Sequence, residues 1–252
     1  MGASYGFDTD NFIYNVAASA RSKFGTGSFY VRYFNPSPGA THLITSSSGV
    51  AETRSGWDNG AIYLVPNSEP AQSRLNGSNA MGVADANAFC AAIFSIYVNV
   101  GPLLLPSTNR VDVYLSLESA TNLSNAYWTG WASVIDAYEL GGGAPLYPGM
   151  YCNPGSPAKN CSTAIGYYCW SVWSSEPEPC AACGPFGSVG WNAENCFNVG
   201  SGAINTTLAW QMVEQNVCTS TCGRGSYPNV DADMTNPSYS EATHMFYLAS
   251  RP

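Results

Sequence analysis

Two acids stand where apolar runs of strand character come to an end, and a third lies in a short strand pattern near the C-terminus. Glu118 closes Val111-Asp112-Val113-Tyr114-Leu115-Ser116-Leu117, Asp8 closes Tyr5-Gly6-Phe7, and Asp231 lies in the short run from Asn229 to Asp233. Cleaving a glycosidic bond takes one carboxylic acid to protonate the leaving oxygen and a second group to stabilise or attack the anomeric carbon. Glu118 is the candidate general acid/base. Leu115, Leu117 and nearby tyrosines would desolvate its carboxyl and raise its pKa. Asp8 and Asp231 are the candidates to stabilise or orient. The plain alternative for Glu118 is a cap or salt bridge for the helix that follows it, and for Asp8 a helix cap, since a helical pattern starts at Asn11. Asp231 and its neighbour Asp233 are equally suited to a rim or to a turn.

Residues that would bind a substrate accompany these acids. Arg32 and Tyr33 end the run Ser28–Tyr33, so the Arg32 charge must find a carboxylate or a ligand near the same rim. Tyr63, Trp170, Trp173 and Trp210, like Tyr33, are strand aromatics that could stack on sugar faces or fill the core. Asp112 begins its strand and belongs to the opposite rim, where it is structural. Glu176 and Glu178 sit between prolines and read as solvated loop charges. There is no Gly-x-Ser-x-Gly elbow, and His42 and His244 give little scope for a triad. Neither a metal nor a cofactor is expected.

Parallel strands would bring acids so distant in sequence to one rim. Strand patterns at 4–8, 28–33, 61–65, 111–118 and 146–151 alternate with helical spacings at 11–23, 48–59, 82–98 and 127–138. That is the signature of a parallel α/β architecture. Weaker strands at 167–173, 206–213 and 229–233 and a last helix over 240–250 complete eight strand units. The expectation is one domain over residues 1–252, a (β/α)8 TIM-like barrel that is irregular and disulfide-stapled in its C-terminal half.

Composition narrows the setting. The chain has 252 residues, enough to bury roughly 70–75% of its unfolded surface without staples. Only 10% are charged, and 9 basic against 17 acidic residues give a net charge of −8. Such a field repels phosphate backbones, which argues against nucleic acid as a partner. Eight of the nine cysteines follow residue 150 in Gly/Pro/Ser-rich sequence, which reads as disulfides in an oxidising compartment; Cys90 reads as a buried free thiol. The Cys180-Ala-Ala-Cys183 pair lacks the strand–helix setting of a redox motif and is taken as structural. Asn76, Asn122, Asn160 and Asn205 begin glycosylation sequons. No apolar run reaches the ~18 residues of a membrane span, and the chain reads as a mature secreted, monomeric protein.

The segments Gly6-Phe-Asp8, Arg32-Tyr33, Glu52 with Gly60, Ala84-Asp-Ala86, Val113–Glu118, Gly149-Met-Tyr151, Ala209-Trp-Gln211 and Val230-Asp231 occur in an order that resembles the glycoside-hydrolase-like barrel family. That family is itself similar to the lysozymes of glycoside hydrolase family 25. The resemblance implies a polysaccharide or cell-wall glycan, such as peptidoglycan, as partner. It also implies that Asp8, Glu118 and Asp231 occupy the positions of mouth acids. Ser116 stands where those lysozymes carry an Asp at the strand end. The alternative it opens is a catalytically inactive barrel that binds glycan.

Overall fold

Short runs rich in Val, Phe, Tyr and Leu supply the strands, because branched and aromatic side chains pack well on a pleated surface. The computed structural model describes residues 4–9, 13–34, 62–100, 104–105, 110–117, 123–140, 144–152, 169–171, 180, 183–188, 207–213, 215–220, 222–225, 231–237 and 245–248. The strands are β1 (Tyr5–Asp8), β2 (Phe29–Tyr33), β3 (Ile62–Ser68), β4 (Leu104–Leu105), β5 (Val111–Ser116), β6 (Glu139–Leu140), β7 (Ala144–Cys152), β8 (Cys169–Ser171), β9 (Thr207–Val213), β10 (Asp231–Thr235) and β11 (Phe246–Leu248). The described helices are α1 (Ile13–Phe24), α2 (Asn79–Val100), α3 (Asn125–Asp136) and the short α4 (Gln215–Ser220), with a 3-10 turn at Gln72–Arg74.

One mixed sheet carries most of these strands in the order β2-β1-β10-β9-β8-β7-β5-β3-β11-β4. β2 also pairs with β3, so the sheet curls back on itself. β1, β2, β3, β5, β7, β8 and β9 run parallel in their pairings with one another.

The expected (β/α)8 TIM-like barrel is not what forms. β10 runs antiparallel to both its neighbours, β1 and β9. A parallel return needs a crossover of a dozen or more residues, usually helical. Between β9 and β10 the one described helix is α4, six residues long. The segment expected to close the chain as a helix contains β11, antiparallel to β3 and to β4. A short apolar run such as Met245-Phe-Tyr-Leu248 suits either state until a partner edge decides it. Helices are also few among the described residues. The helical pattern at 48–59 lies outside them.

The convex side of the sheet is covered. Phe7 packs against Phe24 of α1, Tyr30 and Phe186, with ring centroids 5.2–5.8 Å apart. Gly25, at φ 101°, ends α1 by donating to the Arg21 carbonyl. α2 and α3 pack on each other through two glycines. A Cβ at Gly82 would strike the Tyr127 carbonyl, and one at Gly130 the Asn79 carbonyl. Trp128 and Trp131, both fully buried, stack at 5.5 Å beside them. Arg74, the Asp85 carboxylate and the Tyr127 hydroxyl tie the 3-10 turn to both helices.

Among the described residues, two disulfides, Cys180–Cys222 and Cys183–Cys218, join the C-terminal segments. Phe186, three residues past Cys183, donates its backbone N–H to the Phe24 carbonyl and stacks on Tyr5. The stapled segment thereby backs β1. Cys90 is a buried free thiol whose burial pushes its pKa up to about 12. No helix among the described residues is long and apolar enough to cross a membrane.

Candidate functional site

Residues directly opposite on neighbouring strands share a face of the sheet. The register therefore assigns one face from pair to pair. Gly6 lies opposite Phe29 and Asp233, and Asp8 opposite Val31 and Asp231. Tyr33 lies opposite Asn67, Asn67 opposite Tyr114, and Ser116 opposite Tyr151. This face is concave, because the Tyr151 hydroxyl on β7 reaches Asp8 on β1 across the intervening β2, β3 and β5.

The lower part of the concave face is apolar. Phe29, Val31, Val65, Tyr114, Ala209 and Met245 are buried together, with Tyr63 against them. Gly6 makes room for this packing, since any Cβ there would overlap the Phe29 ring. Toward the C-terminal ends of the parallel strands the same face turns polar. Asp8, Asn67, Ser116 and Gln211 are all at least 97% buried there, and Asp233 is fully buried one step below Asp231.

Asp8 is the centre of this polar end. Its Oδ2 accepts hydrogen bonds from the Tyr151 hydroxyl at 2.8 Å and the Tyr33 hydroxyl at 3.1 Å. Its Oδ1 has no hydrogen-bond partner. Burial is the largest influence on the carboxyl and raises its pKa to about 7, with Glu69 adding to the rise. The two tyrosine hydroxyls and the Arg32 charge pull the other way and are outweighed. Because both tyrosines donate to Oδ2, a proton on this carboxyl belongs on Oδ1. Asp8 is thus a buried acid that exchanges its proton near neutrality with one oxygen committed and the other open.

The other predicted site residues fall in several places. Asp231 is half-buried at the head of β10, opposite Asp8. Tyr33 holds Asp8. Arg32 alternates to the convex face, where it is buried and donates from Nη1 to the Thr9 carbonyl at 3.2 Å; its charge reaches Asp8 through space. Tyr63 lies with the apolar floor. Trp170 and Trp210 have backbone positions in β8 and β9 while their side chains lie outside the described residues, and Glu118 and Trp173 lie outside them altogether. Asp112 pairs with Arg110 at 2.8 Å, and the Arg110 guanidinium covers the Tyr147 ring.

Asn67 and Glu69 were not singled out from the sequence, and Tyr151 entered only within the segment Gly149-Met-Tyr151, with no role of its own. From the sequence, the run that starts at Ala61 ends at Val65, before Pro66, a residue that breaks most strands. In the structure Pro66 stays in β3 opposite Arg32, and the strand continues to Ser68. The available signal was parity: Asn67 follows Tyr63 and Val65 at alternate positions, on the same face, and Glu69 comes just past the strand end.

No family model and no curated protein matches the chain. Two solved structures resemble it. One is a 1.07 Å crystal structure of an uncharacterized B. stearothermophilus protein, with a TM-score of 0.65 at 12% identity over 96% of this chain and 100% of that one. The other is a Tat-secreted protein of Mycobacterium tuberculosis, crystallised in complex with HEPES, with a TM-score of 0.53 at 14% identity over 94% and 97% of the two chains. At these identities the likeness is one of fold.

Proposed function

We propose that this chain is an exported glycan-active protein that hydrolyses a glycosidic bond in a polysaccharide or cell-wall glycan at the polar end of its concave face. The observation that carries the reading is Asp8: a buried carboxyl with a pKa raised to about 7, fixed by two tyrosines, with Oδ1 unpartnered. Glycosidic cleavage calls for a proton held at neutral pH next to a second carboxylate. Glu69 and Asp231 are the described carboxylates nearest in arrangement, and Glu118 keeps the acid/base role that its place after β5 suggests. The resemblance to the glycoside-hydrolase-like barrel family points the same way. Disulfides in the C-terminal region, and a Tat-secreted protein among the similar folds, support export.

A second reading is a mouth that binds glycan without cutting it. Two observations favour it: Asp8 is only 2% exposed, and the end of β5 carries Ser116 rather than a carboxylate. Burial both raises the Asp8 pKa and restricts access to it. Digestion of a glycan panel with reducing-end detection separates the readings. Hydrolysis predicts release by wild type, loss of about 100-fold or more in Asp8→Asn, and the same loss in Glu118→Gln with binding retained. Binding without release across the panel would leave the second reading standing.

A further inference from the structure

Buried hydrogen-bonding groups in folded proteins almost always have partners. Asn67 is fully buried, and neither its Nδ2 nor its Oδ1 has one. Ser116, 1% exposed, has an equally unpartnered Oγ. The register puts both side chains on the concave face, on β3 and β5. They stand between Tyr33 on β2 and Tyr151 on β7, the two residues whose hydroxyls converge on Asp8. The unpartnered Oδ1 of Asp8 belongs to the same polar end. Three side chains from three strands are thus left with open hydrogen-bonding capacity at one end of one face.

We propose that Asn67 and Ser116 are ligand-binding residues that, with Asp8 Oδ1, form a subsite for an uncharged, hydroxyl-bearing group of a neutral glycan. The inference rests on the reading that this mouth takes a glycan, and it adds which class. An amide and a hydroxyl both donate and accept, as sugar hydroxyls do. An anionic sugar would instead meet Asp8, Asp231 and Asp233 on the same face, Glu69 close enough to perturb Asp8, and a chain of net charge −8. Arg32, the cation that acts on Asp8, is on the opposite face. A site whose buried polar groups are matched by the ligand also discriminates strongly against ligands that leave them bare.

Isothermal titration of the full chain with tetrasaccharides of glucose, N-acetylglucosamine and galacturonic acid tests this. Wild type should bind a neutral tetrasaccharide at least about tenfold more tightly than the galacturonate. Asn67→Leu, which keeps the volume and removes the amide, should weaken that binding about tenfold, and Ser116→Ala about two- to fivefold. Both variants should keep the wild-type melting temperature or exceed it. Equal binding by wild type and both variants would overturn this assignment and leave the glycan reading intact. Tightest binding of the galacturonate would overturn the neutral class. Failure of wild type to bind any of the three would remove the glycan reading and this one with it. A crystal structure of the complex with only ordered water on Asn67 and Ser116 would also overturn it. Should Asn67→Leu fail to fold, Ser116→Ala decides, since it removes a single unpartnered oxygen.

Discussion

Along β1 and β2, alternate residues are put to opposite uses. Phe7, Tyr30 and Phe34 point to the convex side and join a buried layer with α1, α2 and α3. Asp8 and Tyr33, one position away, point to the concave side and hydrogen-bond to each other. The same alternation recurs on β5, where Val113 and Leu115 pack outward and Ser116 lies inward with an open hydroxyl. The convex face holds the fold together by apolar contact. The concave face has an apolar floor, and at its C-terminal end it keeps polar groups that the fold itself does not satisfy. A sheet selected for packing alone would have made those positions apolar. Unpartnered buried polar atoms occur on both sides, Ser68 Oγ and Trp131 Nε1 on the convex one; the concave end differs in carrying Asp8 Oδ1, Asn67 and Ser116 Oγ on one face.

The largest effect that could break this contrast is on the convex side. Trp131 is fully buried and stacked on Trp128 beneath the α2–α3 contact. Trp131→Ala should cost about 3–5 kcal/mol in urea unfolding. Ser116→Ala on the concave face should cost under about 0.5 kcal/mol, because its Oγ loses no partner. A Ser116→Ala penalty near that of Trp131→Ala would mean that both faces serve stability.

A pH-dependent effect comes next. The Asp8 pKa rises from an ordinary 3.8 to about 7 in the folded chain. Between those values the folded state holds a proton that the unfolded state has released, so this group's contribution to stability falls as pH rises through the interval and levels off above about 7. Asparagine mimics the protonated form: its carbonyl can accept from both tyrosines, and its amide takes the place of Oδ1. Asp8→Asn should therefore match wild type near pH 4 and gain on it steadily up to pH 7 in melting temperature. A constant difference across that range would show that Asp8 is not titrating as its surroundings imply.

Much of the scaffold could be read ahead of the structure, and the reasons are local. Tyr5–Asp8 and Phe29–Tyr33 are short apolar and aromatic runs, and both form strands ending at the expected residues. The alanine-rich stretch around Ala84–Ala92 reads as a helix and lies within α2. What was not legible depends on partners far away in sequence. β10 pairs antiparallel with β1, at the opposite end of the chain, and with β9, and β11 is a strand where it meets the edges of β3 and β4. Tyr151 gives no local sign that it meets a carboxylate 143 positions earlier. Asn67 was hidden by Pro66, which lies in β3 opposite Arg32, between the stretches that pair with β11 and with β5. Asp8 was legible as a candidate because a strand ended in an acid, whereas the neutral Asn67 carried no such mark.

The smallest effect discriminates most finely, because it acts on the concave face without changing any charge. Tyr151 and Tyr33 each donate to Asp8 Oδ2 and favour the ionised carboxyl, Tyr151 more strongly, in keeping with its shorter bond of 2.8 Å against 3.1 Å. Tyr151→Phe should raise the Asp8 pKa further, and Tyr33→Phe should raise it less. Each variant should lose only about 0.5–1.5 kcal/mol of stability, the net worth of one hydrogen bond. Carboxyl carbon chemical shifts followed from pH 4 to pH 9 would give the order directly. If Asp8 supplies the proton in glycan cleavage, the alkaline limb of activity should move upward in the same order, Tyr151→Phe beyond Tyr33→Phe beyond wild type. A shift in the carboxyl titration with an unmoved activity profile would place the proton donor elsewhere and leave Asp8 a positioning residue. If neither variant moves the titration, the two phenols do not govern the carboxyl, and burial alone keeps it close to neutrality.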